Sequence, residues 1–298
     1  MSFDHILLIG FGGPETPEEV RPFLERVAQG ARIPEERLRE VARHYQAIGG
    51  FSAYNGHARR LAGKIRPDLP LFLGMRNGRP FLSDTLREIR GRGLRRGLGV
   101  VLAPHRSEAS FGRYVDSVEA ACREQGAAME YEYLRPWHDH PLFIRAQAER
   151  TRPLLDQGLT GHLLFTAHSI PLEMAGASEY ETEVRASGRL VAEALGASDW
   201  SVAYQSRSGP PAQPWLEPSV GEAIRRQKAA GSCALVVVPV GFLFDHTEVL
   251  YDLDVEAKQA AEQEGLRFLR APTVMDHPLF VRMFEELIVE QAFQGARK

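Results

Sequence analysis

The sequence predicts two similar α/β domains, each a parallel sheet flanked by helices, with a ligand cleft between them. Three observations predict it. Short apolar runs recur along the 298 residues, and each leads through a loop into a helical pattern. The second half repeats the first: "HILLIGFG" is answered by "HLLFTAHS", and "GVVLAPHRSEAS" by "LVVVPVGFLFDH". Charged and imidazole side chains collect just after the apolar runs, at the carboxyl ends of strands, where open α/β sheets bind ligands. The domain boundary is expected near 145–155, giving domains 1–150 and 151–298.

In chain order, "HILLIG" (5–10) leads into the turn "FGGPETP" and the amphipathic "EEVRPFLERVAQG". "LFLGMR" (71–76), "LGVVLAPH" (98–105) and "AMEYEYL" (128–134) follow, each with a helical pattern behind it, the last of these beginning near Pro141. In the second half, "GHLLFTAH" (161–168) precedes a long loop and the helix "EYETEVRASGRLVAEALG". "WSVAYQS" (200–206) precedes the loop "RSGPPAQPWLEP" and the helix "SVGEAIRRQKAAG". "CALVVVPVGF" (233–242), "LRFLRAP" (266–272) and a final helix over 278–296 complete the pattern.

Composition excludes several function classes. The chain is 44% hydrophobic and 25% charged with a net charge of −3, an ordinary globular balance and not the basic footprint of a nucleic-acid binder. Two distant cysteines, Cys122 and Cys233, make neither a disulfide framework nor a zinc or iron–sulfur site. "MSFDHILLIG" lacks the charged region of a signal peptide and no apolar stretch is long enough to span a membrane, so a cytoplasmic location is expected.

The strand ends carry the chemistry. "GFGGPETP" (10–17) is Gly-rich, but it is not G-x-G-x-x-G, and Pro14 removes a backbone donor. A tight turn letting a flat ligand approach the backbone, with Phe11 presented to it, is expected in place of a phosphate cradle. His105 follows "VVLAP", His168 follows "LLFTA", and Asp245, His246 and Glu248 follow "VVVPVGF". Imidazole and carboxylate without thiolate suit a borderline divalent ion such as Fe2+. Glu248, Asp252 and Glu256 stand four residues apart, a like-charge stripe that destabilises an ordinary helix. It is either a solvated face or a track that attracts and hands on a cation. An ordinary helix would turn each successive carboxylate by about 40°. A π-type widening, frequent at functional sites, would align the three and is expected over 248–258.

Six segments together resemble the ferrochelatases, which insert Fe2+ into a porphyrin: "GFGGPETPEEV", "HYQAIGGFSAYN", "GMRNGRPFLSDTL", "TAHSIP", "YQSRSGPPAQPWLEP" and "VVVPVGFLFDHTEVLYDLDVEA". The resemblance extends over essentially the whole chain. It implies two Rossmann-like domains around a porphyrin cleft. It also implies His168 and Glu248 as the catalytic pair, and His168, Glu248, Asp252 and Glu256 as metal positions. Phe11, Tyr45, Ser52 and Tyr114 match positions that contact the porphyrin. His44 stands where many relatives carry Arg, and Ala28 where some do. His105 is added as a substrate-binding candidate from its strand-end position. Phe11 offers no oxygen to iron, unlike the tyrosine of several relatives.

The compact "GGFSAYN" and the "YQSRSGPPAQPWLEP" loop resemble the coproporphyrin III-using enzymes. The expectation is therefore iron insertion into coproporphyrin III. Fe2+ would be a substrate, with no tightly bound cofactor, no iron–sulfur cluster, no nucleic acid and no membrane span. A monomer, with an enzyme of the haem pathway as protein partner, is expected. Alternatives are a protoporphyrin IX ferrochelatase, a chelatase for another metal or tetrapyrrole, a non-catalytic porphyrin or haem carrier, and, more distantly, a nucleotide-dependent enzyme.

Overall fold

The computed structural model describes residues 3–28, 34–126, 128–156, 161–210 and 212–295. The chain divides into two compact units, one of Met1–Ala103, Ala109–Arg135 and Phe280–Lys298, the other of Pro104–Glu108 and Pro136–Leu279.

The first unit is built on a parallel sheet of β1 (His5–Gly10), β2 (Leu71–Met75), β3 (Arg96–Val101) and β4 (Glu130–Tyr133), in the order β2-β1-β3-β4. Ile6 lies opposite Leu71 on one side and Leu98 on the other. Every residue of β1 is buried, which is why its sequence is a continuous apolar run and not an alternation. "EYEY" of β4 alternates exposed and half-buried, as an edge strand does. Helix α1 (Pro17–Val27) starts on Pro17 with Glu18 and Glu19 in its first turn, matching fixed φ and carboxylates to the N-terminal dipole. Two helices absent from the sequence reading, α2 (Glu35–Ala47) and α3 (Tyr54–Lys64), fill the connection to β2, and α4 (Leu82–Gly91) leads to β3. A π-turn over Glu108–Gly112 opens α5 (Arg113–Glu124). Leu7, Ile9, Leu86, Ile89 and Val118 form the core between sheet and helices.

The second unit begins with α6 (Pro141–Leu155). Its sheet contains β5 (His162–His168), β6 (Trp200–Gln205), β7 (Ala234–Val238) and β8 (Arg267–Arg270), all parallel, in the order β6-β5-β7-β8. Strands matched between the halves of the sequence, β1 with β5 and β3 with β7, hold the same places in the two sheets. The loop read after β5 contains a short helix, α7 (Leu172–Gly176), before α8 (Tyr180–Leu195). Helix α9 (Val220–Ala229) opens with a capping box in which Ser219 and Glu222 satisfy each other's backbone donors. After β7 come α10 (Thr247–Leu250), a second π-turn over Asp252–Ala257 and α11 (Lys258–Gln263). Leu164, Ile224, Leu235, Val237, Val249 and Leu253 pack as one core.

Three boundaries differ from the sequence reading. The strand expected over 233–242 ends at Val238, because Pro239 has no N–H to continue the ladder; Gly241 N–H instead donates to Thr166 O at 3.0 Å. Helix α6, where the domain boundary was placed, lies within the second unit. Most of the last helix, α12 (Pro278–Gly295), belongs to the first: Glu285 accepts from Arg66 N–H at 2.9 Å and Gln291 donates to Tyr133 O at 3.0 Å. Among the described residues, no helix is long and apolar enough to cross a membrane.

Candidate functional site

In the second unit, β5 ends on His168, whose register partner on β6 is Gln205. The imidazole Nδ1–H donates to Ser169 O at 2.5 Å, which leaves Nε2 facing Glu248 Oε1 at 3.5 Å. Glu248 is in the first turn of α10, and its own N–H donates to His246 Nδ1 at 3.2 Å, so His246 is the helix cap. Both members of the pair reach solvent, His168 with 32% and Glu248 with 41% of the side chain exposed. The surrounding chain fixes their backbones. The Tyr180 hydroxyl donates to His168 O at 2.9 Å, the Gln205 amide donates to Glu248 O, and Gln205 O accepts from Ser169 N–H at 2.7 Å. Gln205 thus holds the chain on both sides of the pair.

Burial is the largest influence on His168 and disfavours its charged form, but Glu248 beside it, the Ser169 carbonyl and Asp252 outweigh that and hold it up at about 9. Burial also pushes Glu248 up, but His168 and His246 outweigh it and bring the carboxyl down to about 2. Near neutrality the pair is therefore imidazolium and carboxylate.

The π-turn expected behind Glu248 is present. Glu256 N–H reaches back five residues to Tyr251 O at 3.0 Å, and Val255 N–H shares that acceptor at 3.1 Å. Asp252 accepts from the hydroxyl of Ser206, a residue held at φ 61°. Burial chiefly, then the like charges of Glu248 and Glu256, push Asp252 up to about 7 against the opposing pull of Ser206 and His168. Glu248, Asp252 and Glu256 are therefore linked electrostatically in series, with Glu256 exposed to solvent. Among the described residues no three His, Cys, Asp or Glu side chains close into one metal cage. The arrangement is a pair followed by a file of carboxylates.

The remaining candidates divide between the units. In the first, Phe11 follows β1, partly exposed and edge-on to Phe23 at 6.2 Å, which meets Tyr45 at 6.1 Å. His44 on α2 is half-buried, and burial followed by Arg37 lowers its pKa. Tyr45 and Ser52 are buried, as is Tyr114, whose ring carries the Arg76 guanidinium at 5.3 Å. In the second, His105 is 1% exposed and bonds Ser187 Oγ through Nε2 at 2.9 Å; burial and then His138 push it down to about 3. This corrects its reading as a ligand-facing residue: it is a neutral packing group behind Tyr180, ring to ring at 6.1 Å.

The Gly-rich turn is closed by the chain's own groups. Its donors are used by the chain itself, Phe11 N–H by the Tyr54 hydroxyl at 3.0 Å and Gly13 N–H by Asn55 Oδ1 at 2.8 Å, while Asn55 donates back to Gly13 O at 2.9 Å. Gly12 has φ +85°, and a Cβ there would fall 2.5 Å from Gly78 N. The glycines admit a neighbouring loop of the protein, and the turn presents Phe11. Sequence reasoning left Tyr180, Gln205 and Ser206 without roles. The signal for Ser206, a left-handed backbone at a non-glycine residue, exists only in the fold.

The sequence model of the family Ferrochelatase matches residues 4–292. A ferrochelatase of Rhodopirellula baltica is 41% identical over 302 residues, covering 97% of this chain and 86% of that protein. A coproporphyrin III ferrochelatase of Mycolicibacterium paratuberculosis is 41% identical over 297 residues, covering 97% and 88%. Among solved structures, SirB from Bacillus subtilis with Fe3+ is similar with a TM-score of 0.62 at 12% identity, covering 99% of this chain and 98% of that one. CbiX, described as the terminal enzyme for biosynthesis of siroheme in denitrifying bacteria, gives 0.56 at 16% identity, covering 96% and 98%. The structural likenesses show the fold, and the sequence match over nearly the whole length shows the family: this chain belongs to the ferrochelatases and is a metal chelatase.

Proposed function

We propose that this chelatase inserts Fe2+ into coproporphyrin III in haem biosynthesis. The observation that carries the reading is the His168–Glu248 contact at 3.5 Å, backed by the file of Asp252 and Glu256. The name of the mycobacterial relative supports the substrate. A ferrous ion and a porphyrin carrying two pyrrole protons become an iron porphyrin and two released protons. The pyrrole lone pairs lie in the ring plane, so a site that bends the macrocycle exposes them. Glu248, anionic across the working range, faces the arriving cation. His168 starts as imidazolium; positive charge arriving at Glu248 favours loss of its proton, and the neutral Nε2 then takes a proton from the ring. Asp252 and Glu256 pass the ion inward from solvent. Phe11 contacts the ring face, and His44, Tyr45, Ser52 and Tyr114 shape the porphyrin-facing side of the first unit.

The protein works as a cytoplasmic monomer that holds no resident cofactor and hands its product to a haem-pathway enzyme. The test is titration of the purified protein with coproporphyrin III and with protoporphyrin IX, together with anaerobic Fe2+ turnover on each. Preferred turnover on coproporphyrin III is expected; preference for protoporphyrin IX overturns the substrate. Binding of either porphyrin without turnover identifies a carrier. Full turnover in His168→Ala overturns the assignment of the pair.

A further inference from the structure

Arg270, the last residue of β8, holds two carboxylates with one side chain that is 13% exposed. Its Nε and Nη2 meet Asp254 Oδ1 and Oδ2 at 2.7 and 2.6 Å, a bidentate pair. Its Nη1 meets both oxygens of Asp245 at 3.2 and 3.1 Å, and Asp245 also accepts from Thr273 N–H at 3.2 Å. Asp245 is the residue before the His246 cap, three before Glu248. Asp254 stands midway between Asp252 and Glu256 in the π-turn. One guanidinium thus grips both ends of the segment that contains Glu248 and Asp252. It does so from the sheet, since Arg270 is in register with Val237 of β7.

The grip also fixes rotation. Asp254 is two residues from Asp252 and from Glu256, about 200° round an ordinary turn, so the three cannot share a face. Drawing Asp254 back onto β8 turns Asp252 and Glu256 away from it. Asp252 then meets Ser206 and the charge of Glu248.

We infer that Arg270 is a positioning residue for metal delivery, holding the π-turn by its paired grip on Asp245 and Asp254 so that the carboxylate file faces Glu248. A lysine keeps the charge but is a single point donor and lacks the planar fork. Partners that orient metal ligands typically matter by about 10- to 100-fold in metal affinity or activity. The inference rests on the iron-insertion reading, and its test separates the two.

In Arg270→Lys and in the milder Asp254→Asn, KM for Fe2+ and kcat are measured beside coproporphyrin III affinity and Tm. Amide hydrogen exchange is followed over 251–257. The expected result is KM for Fe2+ raised by about 10-fold or more with porphyrin affinity within about twofold, and exchange at the Glu256 amide faster by about 10-fold. Unchanged KM and unchanged exchange in both variants overturn the inference, as does a lowered Tm with wild-type KM, which marks a merely structural ion pair. Absence of Fe2+ turnover in the wild type sinks the iron reading instead, and unchanged exchange at the Glu256 amide in both variants then overturns the grip on the π-turn as well.

Discussion

Replacing Glu248 by Gln keeps the size of the side chain and removes the charge 3.5 Å from His168 Nε2. Against an ordinary value of 6.5, His168 stands at about 9 in the native protein. At about pH 7.5 that is roughly 30 imidazolium for each neutral imidazole. With Glu248 neutral its charge no longer offsets burial, which lowers His168 against the Ser169 carbonyl, Asp252 and whatever hydrogen bond the glutamine oxygen accepts. The midpoint then falls below its native value, and each unit of that fall raises the ratio of neutral to charged imidazole about 10-fold. The neutral fraction therefore rises from about 3% in the native protein. The assay is NMR titration of histidine-labelled protein, with His168→Ala identifying the signal. A midpoint in Glu248→Gln that stays near 9 refutes the account of the pair. Linkage gives the same contact a stability profile. The raised His168 contributes fully below its ordinary value and loses that contribution as pH rises through about 9. The lowered Glu248 contributes above its ordinary value of 4.5 and loses it as pH falls through about 2. The contribution of the pair is complete between about 4.5 and 6.5, and solvent screening keeps it small because both side chains are partly exposed. Glu248→Gln flattens that dependence, and its Fe2+ insertion falls by about 100-fold or more.

Three further outcomes follow from the geometry. Gly12→Ala puts a Cβ 2.5 Å from Gly78 N at a φ of +85°, and destabilises the protein by about 2–4 kcal/mol in denaturant melts. Asn55→Ala strands the N–H and C=O of Gly13 at a fully buried site and costs about 2–4 kcal/mol, with Tm as the readout. Ser206→Ala removes the hydroxyl that holds the ionised form of Asp252, so Asp252 titrates higher and KM for Fe2+ rises most at low pH; a pH-independent KM change contradicts this.

The parts of the molecule legible in the sequence are those governed by local pattern. Buried parallel strands announce themselves as apolar runs, which made the central strands of both sheets legible, and the pairing of "HILLIGFG" with "HLLFTAHS" anticipated two similar α/β domains. His168 and Glu248 were legible because each follows such a run. The π-turn was legible because three like charges at four-residue spacing are costly in an ordinary helix. What stayed hidden depends on the third dimension. His105 has the same strand-end address as His168, and only the positions of Ser187 and Tyr180 make it a core group. The glycines after β1 looked like an approach for ligand, whereas Asn55, Tyr54 and Gly78, more than forty residues away, take up their space and donors. Arg270 looked like one arginine among many, because nothing local ties it to Asp245 and Asp254.

The shared acceptor Tyr251 O, taken by both Val255 and Glu256, shows how finely the length of this segment is set. The wide turn contains one residue more than an ordinary turn would use. Losing that residue would let the backbone close into regular helix at little cost, while swinging everything beyond it by about 100°. Glu256 would then leave the file without any substitution. The stretch between Glu248 and Lys258 is thus one where exchanges of side chain are graded in effect but insertions and deletions are not, and homologous chains are expected to keep its residue count even where they vary its residues.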